Sequence, residues 1–224
     1  MRIGFLLFEH VTQLDLTGPA QVLARLPGAD MVYAAARPDP VATDCGFAIQ
    51  PTVTREDCPP LDIVCAPGGY GVSTAMADPA WVDFLERQAQ SARYVSSVCT
   101  GAFLLGAAGL LDGRRATTHW AYHDLLALFG AEPVAQRVVR DGALITGGGV
   151  TAGIDFALTL TAEIAGRDAA ESVQLGLEYD PAPPFPGGSP QSAPARADQL
   201  RTGAFAERRS VMERAARAAL ARRG

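Results

Sequence analysis

The segment Tyr94-Val-Ser-Ser-Val-Cys99-Thr-Gly-Ala-Phe-Leu-Leu places a cysteine where an apolar strand gives way to a helix. A nucleophile on such a sharp strand-to-helix turn has its reactive atom open on one side. Here sulfur stands where a serine oxygen stands in the hydrolase version of the turn. The start of a helix offers unpaired N–H groups and a partial positive charge, and both favour a thiolate. The pattern predicts a reactive Cys99, with Thr100 beside it and Gly101 allowing the turn to be tight. The plainer alternative is a small buried residue closing a strand end. The elbow context favours the reactive reading.

Two more segments fall on the same rim of a parallel sheet, at the carboxyl ends of strands, where α/β sites form. Ala66-Pro-Gly-Gly-Tyr-Gly71 follows a strand directly. Its glycines leave backbone amides bare, so the Gly69 amide and the Thr100 amide together could stabilise negative charge beside the sulfur. Tyr70 is in the same loop and is a candidate substrate contact. Asp15, between Leu14 and Leu16 on the way into a helix, is expected to be half-buried. Burial would raise its pKa and suit it to acid/base work. Glu9 comes earlier in that loop and reads as solvated.

Among the three histidines, His119 is a candidate partner for Cys99, although Thr118-His-Trp120 could equally be a helix cap and packing. His119 and His123 are four apart, but they lack the glutamate and third ligand of a zinc site, so no metal is expected. His10 has no visible partner. Gly147-Gly-Gly-Val-Thr-Ala-Gly153 has no acidic residue at the end of a following strand, about 20 positions on, as a dinucleotide loop requires. It reads as a tight turn near the site, with Gly148 a further candidate for substrate or oxyanion binding.

Strand-like runs at Arg2–Phe8, Asp30–Ala36, Asp62–Ala66, Tyr94–Val98 and Ala143–Thr146 would position these residues. Helical patterns lie between and after them, at 19–26, 80–91, 100–111, 121–129, 151–165 and 169–179. The alternation predicts an α/β fold: a mostly parallel central sheet flanked by helices, a flavodoxin-like or Rossmann-like sandwich. Residues 1–195 form the expected catalytic domain. Within it, Pro181–Pro194 carries proline, glycine and serine and reads as an extended strap. Residues 196–224 form an arginine-rich helical tail with net charge +5, against −10 for the body. The tail is too short for a helix-turn-helix domain with its own core, so docking on the body or on a second subunit is favoured over DNA binding.

Composition narrows the classes. The 224 residues are 48% hydrophobic and carry a net charge of −5, which suits a globular fold and argues against a general nucleic-acid binder. There is no lysine, which excludes Schiff-base chemistry, pyridoxal-phosphate enzymes and Walker phosphate loops. The cysteines, Cys45, Cys58, Cys65 and Cys99, have no C-x-x-C spacing. With no signal peptide, and an uncharged run Tyr94–Leu111 that breaks into strand, turn and helix, the chain reads as cytoplasmic and soluble. No membrane partner is expected.

Taken together, and in order, Gln13-Leu-Asp15-Leu-Thr-Gly-Pro19, Ala66-Pro-Gly-Gly69, Val98-Cys-Thr-Gly101, Gly113-Arg-Arg-Ala-Thr-Thr-His119-Trp and Gly148-Gly-Val-Thr-Ala-Gly-Ile-Asp155 resemble the ThiJ/PfpI superfamily, the class I glutamine-amidotransferase-like group. The resemblance spans about Arg2 to Pro194 and is strongest to its isocyanide-hydrating branch, including the strap Glu178–Phe185. It implies a homodimeric, cofactor-free, cysteine-dependent hydro-lyase converting R–N≡C to an N-substituted formamide. Cys99 would be the nucleophile and Asp15 its carboxylate partner, with Thr100 beside them. The protease branch has histidine directly after the cysteine, where this chain has Thr100. AraC-type regulators on the same core carry a DNA-binding half that this chain lacks. A glyoxalase- or deglycase-like activity on small oxoaldehydes, and a redox or ligand sensor, are the alternatives.

Overall fold

The first strand, β1 (Arg2–Leu7), is buried at every position after Arg2, as a strand must be when both faces of its sheet are covered. The computed structural model describes residues 1–223. Gly224, the last residue of the expected tail, lies outside them. After β1 come α1 (Gln13–Leu23), β2 (Asp30–Ala35), β3 (Val41–Ala42), β4 (Ala48–Ile49), β5 (Val53–Thr54), β6 (Ile63–Ala66), α2 (Val72–Ala77), α3 (Pro79–Ser91) and β7 (Tyr94–Val98). A 3₁₀ turn, Cys99–Gly101, leads into α4 (Ala102–Ala107). Then follow β8 (Arg115–Ala116), a 3₁₀ helix Trp120–Phe129, β9 (Glu132–Pro133), β10 (Val138–Asp141) and β11 (Leu144–Gly147). The chain ends with α5 (Ala152–Ala165), α6 (Arg167–Gly176), α7 (Pro194–Thr202) and α8 (Ala206–Arg223).

The main sheet has the order β10-β11-β7-β6-β1-β2-β5. Every pairing in it is parallel except β10 with β11. One helical layer holds α1, α5 and α6; the other holds α2, α3, α4 and α8. This is the expected mostly parallel α/β sandwich, and the five expected strands are present within two residues at either end.

Register brings the site together. Ala66 of β6 pairs with Ser97 of β7, and Val98 of β7 pairs with Gly147 of β11. These three strands end level, so the residues that follow each one share a rim.

Three helices differ from expectation. α1 starts at Gln13, six residues before the expected Pro19, and carries that proline inside. Pro19 has no N–H to give the carbonyl four residues back, that of Asp15, so α1 lacks one hydrogen bond in its interior. The helix expected over 100–111 is only α4, because the chain turns left-handed at Gly109, φ +71°. Trp120–Phe129 winds as 3₁₀ rather than α. The antiparallel edge strand β10 is an addition; the Asp141-Gly142 turn, with Gly142 at φ +62°, folds it back onto β11.

The strap before Pro194 has no regular structure and is mostly exposed. α8 is not a free appendage. Met212, Ala216 and Ala219 are buried on one side, against α2, α4 and the 3₁₀ helix.

Candidate active site

Cys99 stands at φ +57°, a left-handed conformation that a non-glycine residue adopts only when its surroundings impose it. Its N–H donates to Gly148 O at 2.9 Å, and its carbonyl accepts from Thr118 Oγ1 at 2.7 Å. Gly101 itself has an ordinary φ of −56°. It is needed for closeness: a Cβ there would collide with the Ala66 carbonyl. The tight turn is therefore made by the cysteine, while the glycine lets it seat against the end of β6.

Asp15 is fully buried, at 0% exposure, rather than half-buried. Its Oδ2 accepts from the Gly68 N–H at 3.1 Å. Oδ1 has no hydrogen-bond partner of ordinary geometry among the described residues. The carboxyl and the cysteine are neighbours, because a Cβ added to Gly68 would lie 2.7 Å from Asp15 Oδ2 and 2.8 Å from Cys99 Cβ. Burial raises the carboxyl pKa from 3.8 to about 7, partly offset by the Cys99 thiol and the Gly68 amide.

The thiol departs from expectation. Burial and then the Asp15 charge push Cys99 well above the ordinary thiol range, while the Val150 and Thr100 amides pull it back. The weak anchorage a six-residue α4 can offer does not outweigh desolvation. With the carboxyl near 7 and the thiol higher still, the pair gives up its first proton through about neutral pH and holds a single proton above it. That state combines a nucleophile with a proton donor, in whichever order the proton is placed.

The expected oxyanion donors are also rearranged. The Gly69 N–H donates to Thr100 Oγ1 at 3.0 Å, so it is already committed, and Gly69 contributes pocket wall at φ +135°. The Gly148 N–H donates to Arg137 O at 2.8 Å, so Gly148 positions the elbow through its carbonyl. The amides at the sulfur are those of Thr100 and Val150. Val150, held at φ +33°, was not singled out by sequence; the glycine run around it was the available signal.

Cys99 and Thr100 open onto a cavity of about 510 Å³, within the usual size for small-molecule sites. Tyr70 and His119 line it, joined by Tyr122. His119 Nδ1 accepts from the Ala121 N–H at 3.2 Å, and burial lowers its pKa to about 4. It is a neutral capping and packing group at the wall. The opposite wall comes from the tail: Phe205, Arg208, Val211 and Met212. Sequence reasoning left the tail outside the site, because nothing in its polar, alanine-rich pattern marks a pocket-facing side.

An α/β sandwich with a strained cysteine at the end of β7, a buried carboxyl beside it and a pocket above defines a small-molecule enzyme of the nucleophile-elbow kind. The chain belongs to the DJ-1/PfpI family, which it matches over residues 1–163. It is 57% identical to the isonitrile hydratase of Pseudomonas putida over 220 residues, 96% of each chain. A glutathione-independent glyoxalase of Caenorhabditis elegans is 27% identical, over 74% of this chain and 89% of its own. The crystal structure of a ThiJ/PfpI family protein from Pseudomonas syringae superposes with a TM-score of 0.93 at 43% identity, covering 96% of this chain and 90% of that one.

Proposed function

We propose that this chain is a cysteine-dependent hydro-lyase that hydrates an isocyanide, R–N≡C, to the formamide R–NH–CHO. The observation that carries the substrate class is the 57% identity to an isonitrile hydratase across 96% of both chains. The Asp15–Cys99 pair supports the mechanism.

The terminal isocyanide carbon accepts both a nucleophile and a proton. Cys99 sulfur bonds to it while the proton shared with Asp15 moves to the same carbon, giving the thioimidate Cys99–S–CH=N–R and a carboxylate. Asp15 then takes a proton from water as its oxygen adds to that carbon, and passes a proton to nitrogen. The tetrahedral adduct collapses. The C–S bond breaks with its electron pair going to sulfur, the hydroxyl proton returns to Asp15, and R–NH–CHO leaves. Thr100, through the Gly69 amide, and Gly148, through the Cys99 amide, hold the elbow in place.

The test is a steady-state assay on alkyl isocyanides with formamide read by mass spectrometry, and methylglyoxal as a parallel substrate. Wild type makes formamide; Cys99→Ala and Cys99→Ser make none; Asp15→Asn is severely slowed. Full activity in Cys99→Ala, or lactate from methylglyoxal without formamide, overturns the reading.

A cytoplasmic homodimer belongs to the same proposal. It is supported by four free cysteines and by Leu175 and Phe185, which are 82% and 79% exposed in the single chain. A monomer mass in sedimentation equilibrium at micromolar concentration would refute the dimer.

A further inference from the structure

The arginine-rich tail takes no part in the chemistry at Cys99, yet it supplies one side of the pocket. Phe205, in the joint between α7 and α8, packs against three rings of the body. Its centroid lies 5.5 Å from His119, 5.7 Å from Trp120 and 6.1 Å from Tyr122. Its backbone is fixed on both sides: its N–H donates to Leu200 O at 2.9 Å, and its carbonyl accepts from the Arg209 N–H at 2.8 Å.

The tail's arginines fasten this wall. Arg209 forms a two-pronged pair with Asp124, at 2.9 and 2.8 Å, and also donates to Ala121 O. Arg208 stacks on the Tyr70 ring, 3.9 Å from its centroid, and donates to the Tyr70 hydroxyl. At the far end of α8, Arg222 donates to Met76 O at 2.6 Å. A segment held at so many points is a fixed wall.

The wall also lies outside the part of the chain common to the family, whose match stops at residue 163. The isonitrile hydratase relative, by contrast, extends over 96% of this chain. The elbow floor lies within the residues that match the family, while the face opposite the sulfur is built from the tail.

We propose that Phe205 is a specificity-determining residue. Resting on the hydratase reading, it sets the upper size of the isocyanide's R group. The floor of the pocket cannot do this, because its backbone is locked by the elbow. Phe205 lines the pocket from the tail and its side chain packs on His119, Trp120 and Tyr122, away from the hydrogen bonds that hold Cys99 and Asp15.

The experiment measures kcat/KM on a graded series from ethyl to 1-adamantyl isocyanide, for wild type, Phe205→Ala and Phe205→Trp. One methylene of fit in an apolar pocket is worth about 10- to 200-fold in kcat/KM. Phe205→Ala should therefore raise the adamantyl-to-ethyl ratio at least about tenfold, and Phe205→Trp should lower it. A merely structural role would depress every substrate alike and leave the ratio unchanged.

A second readout does not depend on hydration. N-substituted maleimides of increasing bulk are allowed to alkylate Cys99, located by peptide mass spectrometry, and Phe205→Ala should selectively speed the bulky ones. Should Phe205→Ala fail to fold, Phe205→Trp and Phe205→Leu carry the same comparison. Ratios equal to wild type in both assays overturn the assignment of Phe205. Wild type inactive on every isocyanide, with the maleimide selectivity intact, overturns the hydratase reading and the named substrate class while leaving Phe205 as the size-limiting wall.

Discussion

Replacing Asp15 with asparagine should stabilise the fold at alkaline pH while it disables the site. The side chain is fully buried, and burial moves its carboxyl from 3.8 to about 7. Below about pH 4 the carboxyl is protonated in both folded and unfolded chains and costs nothing. Between about 4 and 7 the unfolded chain ionises first and stability is lost as pH rises. Above 7 both forms are charged and the loss is complete, at about 4 kcal/mol for a displacement of this size. That figure is an upper value, because a charge inside a protein draws in water and dipoles. Asparagine keeps the shape and has no proton to lose. Urea unfolding of both proteins at pH 4.5, 6, 7 and 8.5 reads the difference directly. The asparagine protein should gain on wild type by several kcal/mol across the series, with most of the change complete by pH 8.5. Two curves that stay parallel, within the usual error of extrapolation, would refute the burial argument for Asp15 and with it the shared-proton state.

The same pair predicts that kcat/KM for isocyanide hydration rises with pH through about 7, as the doubly protonated site loses its first proton; a profile flat from pH 5.5 to 8.5 would contradict it. Gly68→Ala puts a methyl 2.6 Å from the Thr100 nitrogen and 2.7 Å from Asp15 Oδ2. It should cost about 100-fold in kcat/KM through misplacement of the pair, measured at wild-type concentrations of folded protein. Thr118→Val leaves the buried Cys99 carbonyl without its 2.7 Å donor; chemical denaturation should show a loss of about 1–3 kcal/mol. Arg209→Ala removes the pair to Asp124, which is mostly exposed. Its stability cost should stay within about 1 kcal/mol, while loosening of the Phe205 wall speeds alkylation of Cys99 by bulky maleimides.

What could be read in the sequence was set by period and punctuation. β1, β6 and β7 are continuous apolar runs ended by Pro67, Cys99 or a polar loop, so their limits were visible locally. β10 was not, because Val138–Asp141 alternates weakly and owes its place to β11 across a turn; the Asp141-Gly142 pair was its one local sign. Cys99, Thr100, Gly69 and Tyr70 follow strand ends that share a rim and line one pocket with His119, and Asp15 joins them through the Gly68 amide. Their roles were less legible. Which amide serves which acceptor depends on loop geometry, so the Gly69 and Gly148 donors went to Thr100 and Arg137 instead of the sulfur. The tail was the furthest out of reach. Phe205 meets His119, 86 positions earlier in the chain, only after the whole sandwich has formed.

The direction of the two pKa shifts bears on why the elbow is built from so many unfavourable parts. A left-handed cysteine costs on the order of 1–3 kcal/mol, and a buried carboxyl adds its own cost as it ionises. Neither would persist alone. The Cys99 backbone is held from β11 through Gly148 and from the Thr118 hydroxyl, and Gly101 is pressed against the end of β6. The main-chain hydrogen bonds of three adjacent strands thus fix a turn that its own residue disfavours. Because the surrounding sheet over-determines that turn, the thiol cannot relax away from the acid, and the acid cannot reach water to shed its proton cheaply. The elevated carboxyl pKa follows from burial of Asp15 on α1 beside an elbow that strand register fixes, and in the proposed mechanism the single proton the two groups then hold is the one that adds to the isocyanide carbon.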